Sequence, residues 1–332
     1  MNESTFILRA SDGVDLFVRR WLPAGAPKAV LQIAHGLAEH SERYARLAEA
    51  LTGAAYATYA NDHRGHGHTA KAPAELGFLA KREGWRKCLD DLLMLNRHVA
   101  GEHPGAPIFL LGHSMGATMA QQFITEHGDS IAGVILSGPN GQPTAMAGIG
   151  RLITCVERLR LGRRGYSALI GKLTFGAFNK PFAPTRTEFD WLSRDPAEVD
   201  KYVADPLCGF PASVQLWVEL LAAWAEISRS ASYERIPKDL PVYVVAGQRD
   251  PVSAGARQIK PMLAALRAAG LKNVECRIYA DARHELLNET NRDEVTRDLI
   301  EWLNVVMGAR GITAARQAKN AGSAENQRSR EK

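Results

Sequence analysis

Cysteine is scarce in this sequence. There are four in 332 residues, Cys88, Cys155, Cys208 and Cys276, far apart and with no Cys-x-x-Cys pair. A disulfide scaffold is therefore not expected, and reduced, mostly buried thiols are. Long apolar runs are missing too. The longest stretches without Lys, Arg, Asp or Glu, Gly105–Thr125 and Ile131–Gly150, are broken by Gly and Pro, so neither reads as a membrane span. Met1–Arg9 has no basic stretch leading into an apolar run, so no secretory signal is expected and the cytoplasm is the expected compartment. No internal repeat is present. What remains is ordinary globular material, 45% hydrophobic and 23% charged, enough to build a substantial core.

Acid is in short supply as well: 36 Asp and Glu face 41 Lys and Arg, a net charge of +5. The excess is local. The end of the chain, 309–332, carries +4 and the stretch from Gln142 to Lys180 carries +6, which leaves −5 on everything else. No nucleic-acid-binding motif accompanies either basic segment, so no specific nucleic-acid partner is expected; nonspecific attraction of the tail would vanish with salt.

Short apolar runs alternate with helical patterns. Strands are expected at Phe6–Arg9, Leu16–Trp21, Ala29–Ala34, Tyr56–Tyr59, Ile108–Leu111, Gly133–Leu136, Val242–Ala246 and Val274–Tyr279. The first two flank Asp12-Gly13, a hairpin signal. Helices are expected at Ser41–Leu51, Gly84–Val99, Met115–Glu126, Ser253–Ala269 and Asp293–Val306. Such alternation builds a mostly parallel sheet covered on both faces. It stops after the sixth strand, where an aromatic-rich helical stretch intervenes. The expected division is a core over 1–140, a helical lid over 141–230, the rest of the core over 231–308, and a basic disordered tail over 309–332.

Gly112-His113-Ser114-Met115-Gly116 follows an apolar strand and opens a helix. A nucleophile on so sharp a turn needs small residues two positions to either side, which Gly112 and Gly116 supply. The Met115 N–H then stands at a helix N-terminus, where it can hold an oxyanion. A lone serine needs a base, and the base an orienting acid. His284 follows the last strand and Asp250 the one before it, the places where a Ser–acid–His chain order puts them. Asp281 is a rival acid, but three residues before His284 it better suits the turn. His63, His66 and His68 lie in a loop with no Cys or carboxylate pair to complete a metal site, so loop structure is the expected role and no metal or cofactor is expected.

With these residues in place, the chain resembles the α/β-hydrolase superfamily, and within it the monoacylglycerol lipase and lysophospholipase-like serine hydrolases. The run His35-Gly36-Leu37-Ala38-Glu39-His40-Ser41-Glu42-Arg43-Tyr44 carries most of that likeness, with Asn61–Gly67, the Ser114 turn, and the Asp250 and His284 loops. The resemblance implies Ser114 as nucleophile, Asp250 as acid and His284 as base. It also implies an oxyanion hole from the N–H groups of Leu37 and Met115, and an internal Glu39–Arg43 pair behind the pocket, a pairing that i,i+4 spacing favours. Ala38 stands where the family has Gly, so the contour beside the oxyanion hole differs.

The implied reaction is hydrolysis of a carboxylic ester through an acyl-enzyme, on monoacylglycerol- or lysophospholipid-like substrates. A short-chain esterase, thioesterase, acyltransferase or peptidase would use the same triad. A hydrolase-fold receptor that binds without turnover is the alternative of another class. Leu152, Ile153, Val156 and Leu159 fall at helical spacing, so one face of a lid helix is expected to cover an acyl pocket while Arg151, Arg158 and Arg160 face away. Two roles fit that helix: an ordinary core-facing cap, or a basic surface for transient contact with anionic membranes.

Overall fold

The computed structural model describes residues 2–309. Its eight strands are β1 (Asn2–Arg9), β2 (Asp15–Leu22), β3 (Ala29–Ala34), β4 (Tyr56–Asn61), β5 (Ile108–His113), β6 (Gly133–Ser137), β7 (Val242–Gly247) and β8 (Val274–Tyr279). They form one sheet in the order β1-β2-β4-β3-β5-β6-β7-β8. β1 and β2 are an antiparallel hairpin across Asp12-Gly13, and β2 joins β4 antiparallel. From β4 through β8 every pairing is parallel. Along the central strands, side chains alternate between two cores. Val30, Leu110, Leu136 and Val244 face one, and Leu31, Phe109, Ile135 and Val245 the other. Both faces being covered, the strands read as continuous apolar runs.

The helices are α1 (Ala45–Gly53), α2 (Gly84–Glu102), α3 (Met115–His127), α4 (Ala145–Leu161), α5 (Ala168–Leu173), α6 (Phe175–Asn179), α7 (Pro196–Ala204), α8 (Val214–Ile227), α9 (Ser230–Glu234), α10 (Ile259–Ala268) and α11, residues 292–309. Leu92 of α2, Phe123 of α3 and Met262 of α10 fill the first core, and Leu51 of α1 and Leu303 of α11 the second. Each such fully buried side chain contributes about 1.5–3 kcal/mol. All the structure between β6 and β7 is helical, α4 to α9. It holds a third, aromatic cluster of Trp191 and Tyr202 with Phe175, Phe178, Phe182 and Phe189 packed against them.

Three expectations need correction or limits. The helix read as Ser253–Ala269 begins only at Ile259, because Ala254, Gly255 and Ala256 all have positive φ. L-residues there interrupt a right-handed helix, and the chain coils so that the Gly255 N–H donates to the Asp250 carbonyl. The segment from Ser41 starts as a 3₁₀ turn before α1. The basic tail lies outside the described residues except for Ala309, which still belongs to α11. All four cysteines are free; Cys88 and Cys208 are buried, Cys155 and Cys276 partly so. Among the described residues no helix is long and apolar enough to cross a membrane.

Candidate active site

Register aligns the carboxyl ends of β3, β5, β6, β7 and β8 along one edge, with Ala34 beside Gly112, His113 beside Ser137, and Gly247 beside Tyr279. The loops that leave those ends carry every expected site residue, as parallel sheets generally arrange.

Ser114 sits between β5 and α3 at φ 53°, ψ −114°, a backbone state that L-residues adopt only under constraint. The constraint comes from packing. A Cβ at Gly116 would strike the carbonyl oxygens of Ala34 and His35, and one at Gly112 would strike that of Gly116. Only glycine lets strand, turn and helix approach so closely. The Ser114 hydroxyl does not cap α3, and the residue lines a cavity.

His284 lines the same cavity and is buried. Its Nδ1 lies 3.0 Å from Asp250 Oδ1, which also accepts the Val252 N–H at 2.9 Å. With its Nδ1 proton directed at the carboxylate, the ring presents Nε2 as the basic nitrogen. Burial opposes the imidazolium, but the Asp250 carboxylate beside it outweighs that cost and raises the pKa above its ordinary value. The ring is further held by Trp191 (centroids 5.1 Å apart) and His113 (4.8 Å). Asp281, the rival acid, is exposed in the turn at φ 55°, and its backbone N–H donates to Gln248 Oε1.

Leu37 and Met115 border the cavity beside Ser114. Their N–H groups have no hydrogen-bond partner among the described residues, as an oxyanion hole requires. The loop that carries Leu37 is tied down from two sides. Ala38, at φ 56°, offers its carbonyl to the Tyr202 hydroxyl (2.9 Å) and the Gly209 N–H (3.0 Å), both from the β6–β7 segment. Glu39 accepts the Gly36 N–H at 2.5 Å and the Tyr44 hydroxyl at 2.9 Å.

Arg43 pairs with Glu39 (2.9 Å), as its spacing suggested, and also makes a two-pronged pair with Glu285 at 2.6 and 2.7 Å. Burial would raise the Glu285 carboxyl, but Arg43 holds it down at about 2. Sequence reading missed Glu285, although its place directly after His284 was a usable signal. It also missed Trp191 and Tyr202, which come from an irregular helical stretch with no motif. The result is one buried network that joins the His284 loop to the Leu37 loop.

Two groups have metal-ligating chemistry. His35, His63 and His66 pack ring against ring; His35 Nδ1 donates to the Gly36 carbonyl and its Nε2 accepts the His63 N–H. Burial pushes His63 down to about 3 and His66 to about 4. His40, Asp205 and Cys208 bring ligand atoms within 4.8 Å of one another. There His40 Nε2 and Asp205 Oδ2 already bond each other at 2.8 Å, and burial pushes the Cys208 thiol well up. The trio ties the loop after β3 to the β6–β7 segment.

Above Ser114 opens a cavity of about 420 Å³ with mostly apolar walls. They include Ile149 and Ile153 of α4, Phe175 and Phe178 of α6, and Trp217, Leu220 and Trp224 of α8. The apolar face expected of α4 is divided. Ile153 meets the cavity, but Leu152, Val156 and Leu159 point outward, 66%, 53% and 85% exposed, while Thr154 and Glu157 are buried.

The arrangement, a strained serine with a carboxylate-oriented imidazole and free N–H groups, suits attack on an acyl carbonyl. A family model described as serine aminopeptidase, S33, matches residues 25–291. The chain belongs to this family. It is related to the monoglyceride lipases: it is 30% identical over 315 residues to the human monoglyceride lipase, covering 92% of this chain and 90% of that one. It is 28% identical over 295 residues to a monoacylglycerol lipase of Mycolicibacterium smegmatis, covering 88% and 93%. Among solved structures, a thermostable carboxyl esterase from Bacillus coagulans in complex with glycerol superposes with a TM-score of 0.85 at 25% identity, over 92% of this chain and 99% of that one. The fold is that of the α/β-hydrolases.

Proposed function

We propose that this protein is a serine carboxylic-ester hydrolase that works through an acyl-enzyme on monoacylglycerol- or lysophospholipid-like esters. The observation that carries this reading is Ser114 on its strained turn in the wall of a mostly apolar cavity that His284, paired with Asp250, also lines. His284 Nε2 takes the hydroxyl proton as Ser114 Oγ attacks the ester carbonyl, and the Leu37 and Met115 N–H groups hold the oxyanion. The imidazolium returns its proton to the departing alcohol. Water then attacks the acyl-enzyme through the same base and releases the acid. Loss of one oxyanion donor would cost about 3 kcal/mol of transition-state stabilisation. The predominance of apolar wall favours an acyl chain over a peptide, and the related lipases favour a glycerol-type ester. The segment 141–230 acts in this reading as the lid.

The test is a panel of p-nitrophenyl esters, monoacylglycerols and lysophospholipids run on the native enzyme and on Ser114→Ala. Activity on long-chain esters that disappears in the variant is expected. Persistent hydrolysis by the variant would overturn the nucleophile, and activity on short esters alone would make the enzyme a general esterase.

A second feature favours work at a lipid surface. Met146, Ile149, Leu152, Val156 and Leu159 of α4 are exposed, with Leu169 and Leu173 of α5 exposed as well, and Arg151 and Arg158 lie on the same helix. An apolar strip edged by arginine suits transient insertion into anionic lipid. Pelleting with anionic vesicles, and not with neutral ones, is the expected result; equal, negligible binding to both removes the idea.

A further inference from the structure

The loop that carries His284 is held from two sides. On the sheet side, the Arg249 N–H donates to the Ala282 carbonyl at 2.9 Å, and a Cβ on Gly247 would strike the carbonyl oxygens of Ala282 and Arg283. On the other side lies the stretch 190–194, between α6 and α7. Two successive N–H groups of the loop donate to two successive carbonyls of that stretch, His284 to Trp191 at 3.4 Å and Glu285 to Leu192 at 2.8 Å. The Arg283 guanidinium donates to the carbonyls of Asp190 and Ser193, the latter at 3.0 Å. Ser193 Oγ in turn donates to the Asn288 carbonyl at 2.8 Å.

One carboxylate fastens the two stretches together. Glu289 is fully buried. Its Oε1 accepts the Arg283 N–H at 2.8 Å and the Arg194 N–H at 3.1 Å; its Oε2 accepts Arg194 Nε at 2.8 Å and the Thr290 N–H at 2.9 Å. Hydrogen bonds to an ionised acceptor are the strong ones, and these four converge on one side chain. The first of them holds the residue directly before His284. None of Arg194, Ser193, Arg283 and Glu289 lines the cavity, so contact with substrate does not account for the arrangement.

We propose that Glu289 is a positioning residue for the base: through Arg283 and Arg194 it clamps the stretch 190–194 onto the His284 loop and fixes the imidazole for proton transfer. This inference rests on the acyl-enzyme reading of Ser114 and His284. A base must stay within hydrogen-bond reach of the proton it takes, and a shift of about 1 Å costs up to about 10²-fold in rate. With the clamp released, the loop keeps its sheet-side contacts and loses its grip on 190–194. Trp191, whose ring lies 5.1 Å from that of His284, is then no longer held against it. The cavity keeps its walls, so the loss falls on turnover and not on binding.

The test measures kcat and KM on p-nitrophenyl acetate and p-nitrophenyl dodecanoate, per active site titrated with a fluorophosphonate. Glu289→Gln sets an amide N–H₂ against donors that a carboxylate oxygen accepted. Its kcat is expected to fall about tenfold on both esters, with KM within about twofold of native. Arg283→Met releases Asp190 and Ser193 without stranding a carboxylate, and it serves where Glu289→Gln folds poorly; a several-fold lower kcat on both esters is expected. A lower melting temperature with native kcat in the folded variants would make Glu289 a structural residue. A higher KM on the dodecanoate alone would make the stretch a cavity wall. Either result overturns the clamp. A native enzyme that takes up the fluorophosphonate, with variants that keep its kcat, loses the clamp alone. A native enzyme that neither takes up the label nor turns over an ester loses the acyl-enzyme reading as well.

Discussion

The sheet edge and the β6–β7 segment are built on opposite terms. At the edge, the buried charged groups are paired with one another: His284 bonds Asp250, and Arg43 bonds both Glu285 and Glu39. In the helical segment, Leu152, Leu159 and Leu173 stand in solvent, and the aromatic cluster around Trp191 is small. One region spends its residues on fixing atoms in place, the other on presenting surface. Among the ties that join them are the Ala38 carbonyl held by Tyr202 and Gly209, the His40–Asp205 pair, and the Glu285 N–H donating to the Leu192 carbonyl. Substitutions in the first region should therefore cost orders of magnitude in rate or several kcal/mol, and those in the second a few-fold.

The largest effect tests the strained turn. Ser114→Ala should lower kcat on the order of 10⁵-fold while substrate binding persists. Ser114→Gly should be equally inactive but more stable than Ser114→Ala, because glycine accepts φ 53° without strain. Equal melting temperatures for the two would mean that the turn stores no strain worth releasing.

Next comes the buried network. Arg43→Met strands two buried carboxylates and should cost about 3–5 kcal/mol in denaturant unfolding at neutral pH. Its pH dependence has a definite sign. In the native protein Glu285 is held at about 2, so the stability it contributes is present above its ordinary 4.5 and is lost as pH falls toward 2. Without Arg43, burial raises Glu285 instead, and the carboxylate becomes a burden as pH rises through 4.5. The gap between native and variant should therefore narrow from pH 7 to pH 5. A constant gap would place the loss in packing.

Much of this first region was legible in the sequence, and little of the second was. Strands β3 to β7 follow from short apolar runs, because a strand buried along its whole length leaves few alternatives, whereas β1 is largely exposed and starts four residues before the Phe6 expected. Ser114, Asp250 and His284 follow from chain order and turn chemistry. The structure brings Asp250 and His284 together by hydrogen bond and sets Ser114 on the same cavity wall. The start of α10 was misplaced because Ala254 and Ala256 look helical and only the folded loop demands their positive φ. The outward face of α4 was misread because periodicity defines a stripe without saying which way it points. There, Glu157 turns inward to bond Arg160 and Ser167, which leaves three apolar side chains outside.

The pH–rate profile sharpens the electrostatic side of the contrast. In the proposed mechanism His284 must be neutral to accept the Ser114 proton, and its pKa is raised above 6.5. On the native enzyme, kcat/KM should fall as pH drops, with a midpoint above 6.5 and about tenfold per unit below it. In Asp250→Asn the largest favourable charge is lost and burial is opposed only by Glu285 and Glu39, so the acid limb should move down on top of a much lower plateau. An unmoved limb would mean that another group controls it.

The smallest effect belongs to the helical surface. Leu152→Ser with Leu159→Ser removes two exposed side chains that touch neither the cavity nor the core. Stability should change by no more than about 0.5 kcal/mol, and kcat/KM on a soluble short-chain ester should be unchanged. On substrate held in anionic vesicles, the loss should be several-fold, because two inserted side chains no longer anchor the helix. Equal activity on vesicles would assign the strip no role at a lipid surface. Equal losses on both substrates would mean instead that α4 shapes the cavity through these leucines, and the two regions would be less separate than their packing indicates.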